Sequence, residues 1–96
     1  MGRTGRIELY IAARNKWGAD AQMIQLIEEM AELTIAILHK RRKVGLEESV
    51  IEEMADVEIM LEQAKLIVNQ PKAFDRYKER KLPQPSARRW PMILAR

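Results

Sequence analysis

Ninety-six residues, 47% hydrophobic and 32% charged, make one small domain, and a chain this short buries only about 60–65% of its unfolded surface, which favours association of copies. Cysteine is absent, excluding disulfides and thiolate metal sites. No apolar run reaches the roughly 18 residues of a membrane span and the N-terminus lacks a signal-peptide core, so the expectation is a cytoplasmic protein without a membrane partner.

The net charge of +3 conceals segregation. All 17 basic residues fall in three zones: four from Arg3 to Lys16, four at Lys40–Lys43, and nine from Lys65 onwards. The acids concentrate between Asp20 and Glu62. Such an arrangement suits a site that holds a cation on acids and an anion on surrounding bases.

In chain order, Met1–Gly5 reads as a flexible basic start, and Ile7, Leu9, Tyr10 and Ile11 predict a short helix over Arg6–Lys16. Gly18 breaks it, and Asp20 suits the N-cap of a second helix over Ala21–Arg42, whose late Lys40, Arg41 and Arg42 match the negative end of the helix dipole. Val44-Gly45 forms the turn, with Gly45 as C-cap. A third helix starts near Leu46–Ser49 and runs to Asn69, its early Glu47 and Glu48 matching the positive dipole end. Two helices of this length with so short a connection predict an antiparallel hairpin. Pro71 marks the next boundary, Ala73–Lys81 a short fourth helix. Pro83, Pro85 and Pro91 preclude a continuous helix beyond it. The expected organisation is a helical domain over residues 1–82 and an extended, basic, proline-containing tail over 83–96, docked through Trp90, Met92, Ile93 and Leu94. The fold class expected is all-α: an antiparallel helical hairpin with short flanking helices, forming a four-helix-bundle-type homo-oligomer, either homodimer or homotetramer. The second helix is apolar on several faces, which calls for partner helices from another subunit.

Two acidic stretches stand at the centre of the hairpin, Glu28-Glu29-Met30-Ala31-Glu32 and Glu52-Glu53-Met54-Ala55-Asp56. Residues three or four apart share a helix flank, so Glu28, Glu29 and Glu32 are neighbours, as are Glu53 and Asp56. No Lys or Arg occurs from Trp17 through His39 or from Val44 through Gln63. Like charges at this spacing cost about 0.2–0.5 kcal/mol per pair, and carboxylates beside apolar sequence are unfavourable without a compensating cation. A solvated acidic face is the bland alternative, but it normally mixes signs. Hard divalent cations take oxygen ligands, and Mg2+ shares its shell with substrate phosphates. The pairs Glu29/Glu32 and Glu53/Asp56 on facing helices therefore suit an open Mg2+ cage, with Mn2+ as a substitute. Lys16, Lys65, Lys72, Lys78 and Lys81 are the candidate phosphate contacts.

The pattern Glu28-Glu29-x-x-Glu32, twenty residues, then Glu53-x-x-Asp56 resembles the signature of the MazG-like all-α nucleoside triphosphate pyrophosphohydrolases. Lys16-Trp17-Gly18 before it and Val57-Glu58-Ile59-Met60-Leu61-Glu62-Gln63 after it also fit, and the resemblance covers Trp17–Lys81. It implies that Glu29, Glu32, Glu53 and Asp56 bind Mg2+ and that Glu28 orients or deprotonates the attacking water. The implied reaction is hydrolysis of an NTP or dNTP between its α and β phosphates, giving a monophosphate and pyrophosphate. It further implies base contacts from Asn15 and Trp17 and a pocket lined by Gln22 or Gln25. The chain departs from the family at Pro83 and Pro85, where members continue helically. Two other readings stand beside this one. One is phosphoribosyl-ATP pyrophosphatase, of the same superfamily; the other is a non-catalytic helical oligomer acting as an interaction or nucleic-acid-binding module. Nucleic acid is the less favoured partner, because such a module has no evident use for the unpaired acids. His39 reads as a helix-end residue and the six methionines as core filler.

Overall fold

Among the described residues four helices follow one another in the expected order. The computed structural model describes residues 2–82 and Leu94. In it α1 spans Arg3–Trp17, α2 Ala19–Arg41, α3 Glu47–Val68 and α4 Pro71–Lys81. The class is all-α, with no strand among the described residues. Of the expected tail, residues 83–93 and 95–96 lie outside the described residues. Leu94, expected to dock, is exposed.

The helix ends differ from expectation in instructive ways. The N-terminal start is already helical, because the Arg6 N–H donates to the Gly2 carbonyl at 3.1 Å and closes a first turn from Arg3. Gly18 sits at φ 93°, a left-handed conformation that only glycine adopts without strain. It closes α1, donating to the Arg14 carbonyl at 2.7 Å, and opens α2 by accepting from the Gln22 N–H at 3.3 Å. Asp20 is therefore not the N-cap: it lies in the first turn of α2, where its charge meets the positive dipole end. Gly45 is likewise not the C-cap. Arg42 caps α2, and Lys43 takes the left-handed conformation at φ 60°. Gly45 is needed for a different reason: a Cβ there would stand 2.8 Å from the His39 Cβ. At the far end of α3, Asn69 adopts φ 51° and returns its N–H to the Lys65 carbonyl at 2.9 Å. Asn tolerates this region. Pro71, pre-set for a first helical turn, then starts α4 two residues earlier than expected.

α2 and α3 pack antiparallel through a seam spaced alternately three and four residues apart. Ala19, Gln22, Leu26, Glu29, Leu33 and Ala36 from α2 are all buried or half-buried. Val50, Glu53, Val57, Met60, Ala64 and Ile67 from α3 are the same. This spacing keeps one stripe of each helix facing its neighbour along the whole length. Leu26, Met60 and Ala64 form the buried cluster, with Met23 packed against it. α1 lies over the open end of the hairpin. There Tyr10 is buried and its hydroxyl donates to Glu62 Oε2 at 2.6 Å, with the Arg6 guanidinium 3.7 Å from the same oxygen. Burial, then this hydrogen bond, raises the Tyr10 pKa.

The outer face of α2 is the reverse of a solvated one. Ile24, Ile27, Ile35 and Leu38 are 41–60% exposed, and on the outer side of α3 Ile51 and Met54 are exposed as well.

Because Leu26 sits at the centre of a small core, Leu26→Ala should cost about 2 kcal/mol, the low end for such truncations since the adjoining groove is open. Urea unfolding followed by circular dichroism measures this, and a loss well below 1 kcal/mol would mean that Leu26 does not anchor the hairpin.

Candidate metal centre

Glu29 and Glu53 occupy seam positions, so the same spacing that buries Leu26 and Met60 draws these two carboxylates between the helices. Asp56 stands on the turn of α3 after Glu53. One carboxylate oxygen from each of Glu29, Glu53 and Asp56 lies within 4.8 Å of the others. Glu29 and Glu53 are half-buried and Asp56 is exposed. Glu32, one turn after Glu29, brings its carboxylate to the Glu53 side chain. The four acids expected to hold a metal are thus in one neighbourhood, three of them in mutual ligand range.

Compensation within the chain is slight. The Gln25 side-chain amide, one turn before Glu29, donates to Glu29 Oε1 at 2.9 Å. Glu29 Oε2 and Glu53 Oε2 are shielded from solvent and have no hydrogen-bond partner among the described residues. The ion pairs found among those residues, Arg6–Glu62 and Lys40–Glu47, leave this cluster untouched. Desolvation is the first cause that raises the Glu53 pKa, followed by the negative charge of Glu32, a hydrogen bond shared with the Glu32 carboxyl, and the negative charges of Asp56 and Glu29. Shielded carboxylate oxygens without a donor are rare in folded proteins because each carries its full desolvation cost. The donor set is all oxygen, and among the described residues two atoms lack a partner and no lysine or arginine pairs with the cluster. Such a set fits a hard divalent cation such as Mg2+ or Mn2+.

The remaining sequence candidates are scattered. Glu28 is exposed on the flank of α2 beside Glu29. Asn15, Lys16 and Trp17 end α1, all exposed, with the Lys16 ammonium 4.7 Å from the Trp17 ring centre. Lys72, Lys78 and Lys81 are exposed on α4, and Lys78 lies over the Phe74 ring at 5.3 Å. From Asp56 to the end of α3 at Val68 is about 18 Å of helix at 1.5 Å per residue, and α4 begins only beyond that. Among the described residues none of these lysines forms an ion pair with the carboxylates.

Two cavities escaped the sequence. A pocket of about 260 Å3 joins Glu32 and Glu53 to Ile35, Ala36, His39, Gly45 and Ser49. His39, a helix-end residue as expected, thus also walls a space next to the acids. A larger groove of about 670 Å3 runs between α1, α3 and α4 over an apolar floor including Ile7, Leu66 and Phe74. Neither has a sequence signal, since each depends on where separate helices come to rest. No family model matches the chain, nor does any curated protein or solved structure.

The raised Glu53 pKa fixes the sign of a pH effect. The folded chain holds the Glu53 proton to higher pH than the unfolded chain does, so this group's stabilising contribution is complete below its ordinary value near 4.5 and is lost as pH rises through the raised value. In chelator, Glu53→Gln should raise Tm at neutral pH and flatten Tm between mildly acidic and neutral conditions. Thermal unfolding in EDTA tests this; a lower neutral-pH Tm for the variant would contradict it.

Proposed function

We propose that this chain is a Mg2+-dependent nucleotide pyrophosphohydrolase of the MazG-like kind, converting an NTP or dNTP to its monophosphate and pyrophosphate. One observation carries the reading: Glu29, Glu53 and Asp56 converge within 4.8 Å, with two shielded oxygens unpartnered. The acids come from the two stretches that resemble the family signature.

Glu29, Glu53 and Asp56, with Glu32 against Glu53, would hold the ion. When bound, Mg2+ supplies neutralisation of the triphosphate and polarisation at phosphorus. Gln25 fixes the orientation of the Glu29 carboxylate through its hydrogen bond. Glu28, free to reach solvent beside Glu29, accepts the proton of the water that attacks the α phosphorus. The new bond joins that water's oxygen to the α phosphorus, the bond to the bridging oxygen breaks, and pyrophosphate leaves. No covalent nucleophile is required, in keeping with a chain that lacks cysteine.

The same reading includes a homo-oligomer, a dimer or tetramer. Its support is the exposed stripe of Ile24, Ile27, Ile35 and Leu38 on α2, which a second helical hairpin would cover in a four-helix arrangement. Among the described residues no helix is long and apolar enough to cross a membrane.

Incubation with a panel of ribo- and deoxynucleoside triphosphates should release pyrophosphate with Mg2+ and none with EDTA. Glu32→Ala and Asp56→Ala should each lower kcat by a factor on the order of 100 or more while the helical circular dichroism is retained, since each removes a ligand or its neighbour. Undiminished turnover in both variants would defeat the assignment.

A further inference from the structure

We infer that α4 acts in trans: its basic face docks on the acidic flank of the α2–α3 hairpin of a second copy and supplies the cations that meet the substrate phosphates there. This deepens the pyrophosphohydrolase reading and rests on it for the role of the phosphates, though not for the docking itself.

The argument begins with a charge mismatch inside one chain. α4 carries Lys72, Arg76, Lys78, Arg80 and Lys81 against only Asp75 and Glu79, and every one of those bases is exposed. None forms an ion pair among the described residues. Lys78 and Arg80 rest instead on their own helix's aromatics, Phe74 at 5.3 Å and Tyr77 at 4.8 Å. The hairpin has the opposite character. Glu28, Glu32, Glu52 and Asp56 are exposed on stretches that contain no base.

Within a protomer no ion pair joins the two among the described residues. α4 starts about 18 Å of helix beyond Asp56, and Phe74 stays at that far end, 4.1 Å below the Lys65 ammonium. Among the described residues no base pairs with these acids and no acid pairs with α4. A second copy offers each what it lacks. The acidic flank also borders the exposed Ile24, Ile27 and Ile35, the stripe a second hairpin would cover, so the copy that covers it stands beside the acids. Tyr77, 55% exposed on α4, supplies an apolar counterpart. In a two-fold dimer the exchange is reciprocal, and both acidic sites gain cations.

The test uses two full-length variants, Asp56→Ala and the triple reversal Lys72→Glu/Lys78→Glu/Lys81→Glu. Each alone should be nearly inactive. After subunit exchange, equal mixing should restore about a quarter of the wild-type rate, because half the dimers are mixed and each mixed dimer holds one complete site. A mixture no more active than its parts, with exchange verified by co-purification of a tagged copy, would overturn the inference. Sedimentation equilibrium gives a readout independent of activity. Wild-type self-association should weaken as salt rises, and the triple reversal should associate at least tenfold more weakly at low salt. Association unchanged by salt and by the reversal would also overturn the docking. Should wild-type protein hydrolyse no nucleotide at all, the function reading fails, and sedimentation alone still decides the docking.

Discussion

Two carboxylates in an apolar seam are the constraint on which this structure turns. Glu29 and Glu53 stand in the same three-and-four spacing as Leu26, Leu33, Met60 and Ala64. Closing the hairpin to bury the apolar residues therefore forces the acids together. The hydrophobic gain is about 25 cal/mol per Å2 of apolar surface, and it is collected only at the cost of holding shielded, like-charged oxygens side by side. Among the described residues little relieves that cost: one amide from Gln25 on one oxygen of Glu29. The core is small, and what remains is an electrostatic deficit at its centre.

That deficit links the fold to its proposed chemistry. A site built only for stability would place apolar residues at both seam positions, and replacing charge by well-packed hydrophobic groups is often neutral or stabilising. Here the acids are kept, the bases are displaced to the α2–α3 turn, the end of α3, α4 and the chain termini, and the Glu53 proton is held more tightly than an ordinary carboxylate holds one. Stability without metal and readiness to bind metal are then opposed. The unpartnered oxygens that weaken the isolated hairpin are the ones a cation would use.

Much of this was legible in the sequence, for local reasons. The helix order, the hairpin and the break at Gly18 follow from periodicity and from residues whose backbone preferences are strong. The acid neighbourhood followed from i, i+3 and i+4 spacing on two helices that must be antiparallel. The misreadings are where local chemistry offered equivalent solutions. Asp20 is a good N-cap residue, but Gly18 closes the preceding helix and opens the next in one step. Gly45 is a good left-handed residue, but Lys43 takes that conformation, and Gly45 answers instead to the nearness of His39. Arg3–Gly5 carry no apolar periodicity, and a helix already fixed by Ile7 and Tyr10 extends through them. The Tyr10–Glu62 hydrogen bond and the pocket beside His39 join residues distant in sequence, and no spacing rule reaches them.

The most direct test of the central claim is a calorimetric titration of the metal-free protein with Mn2+, in two buffers of different ionisation heat. Glu53 holds its proton more tightly than an ordinary carboxylate, so binding at mildly acidic pH should release protons, seen as a buffer-dependent enthalpy. Glu53→Gln should abolish that proton release and weaken binding, each lost ligand costing on the order of 10–100-fold in affinity. Folded wild-type protein that takes up no Mn2+, or takes it up equally well without Glu53, would contradict the account.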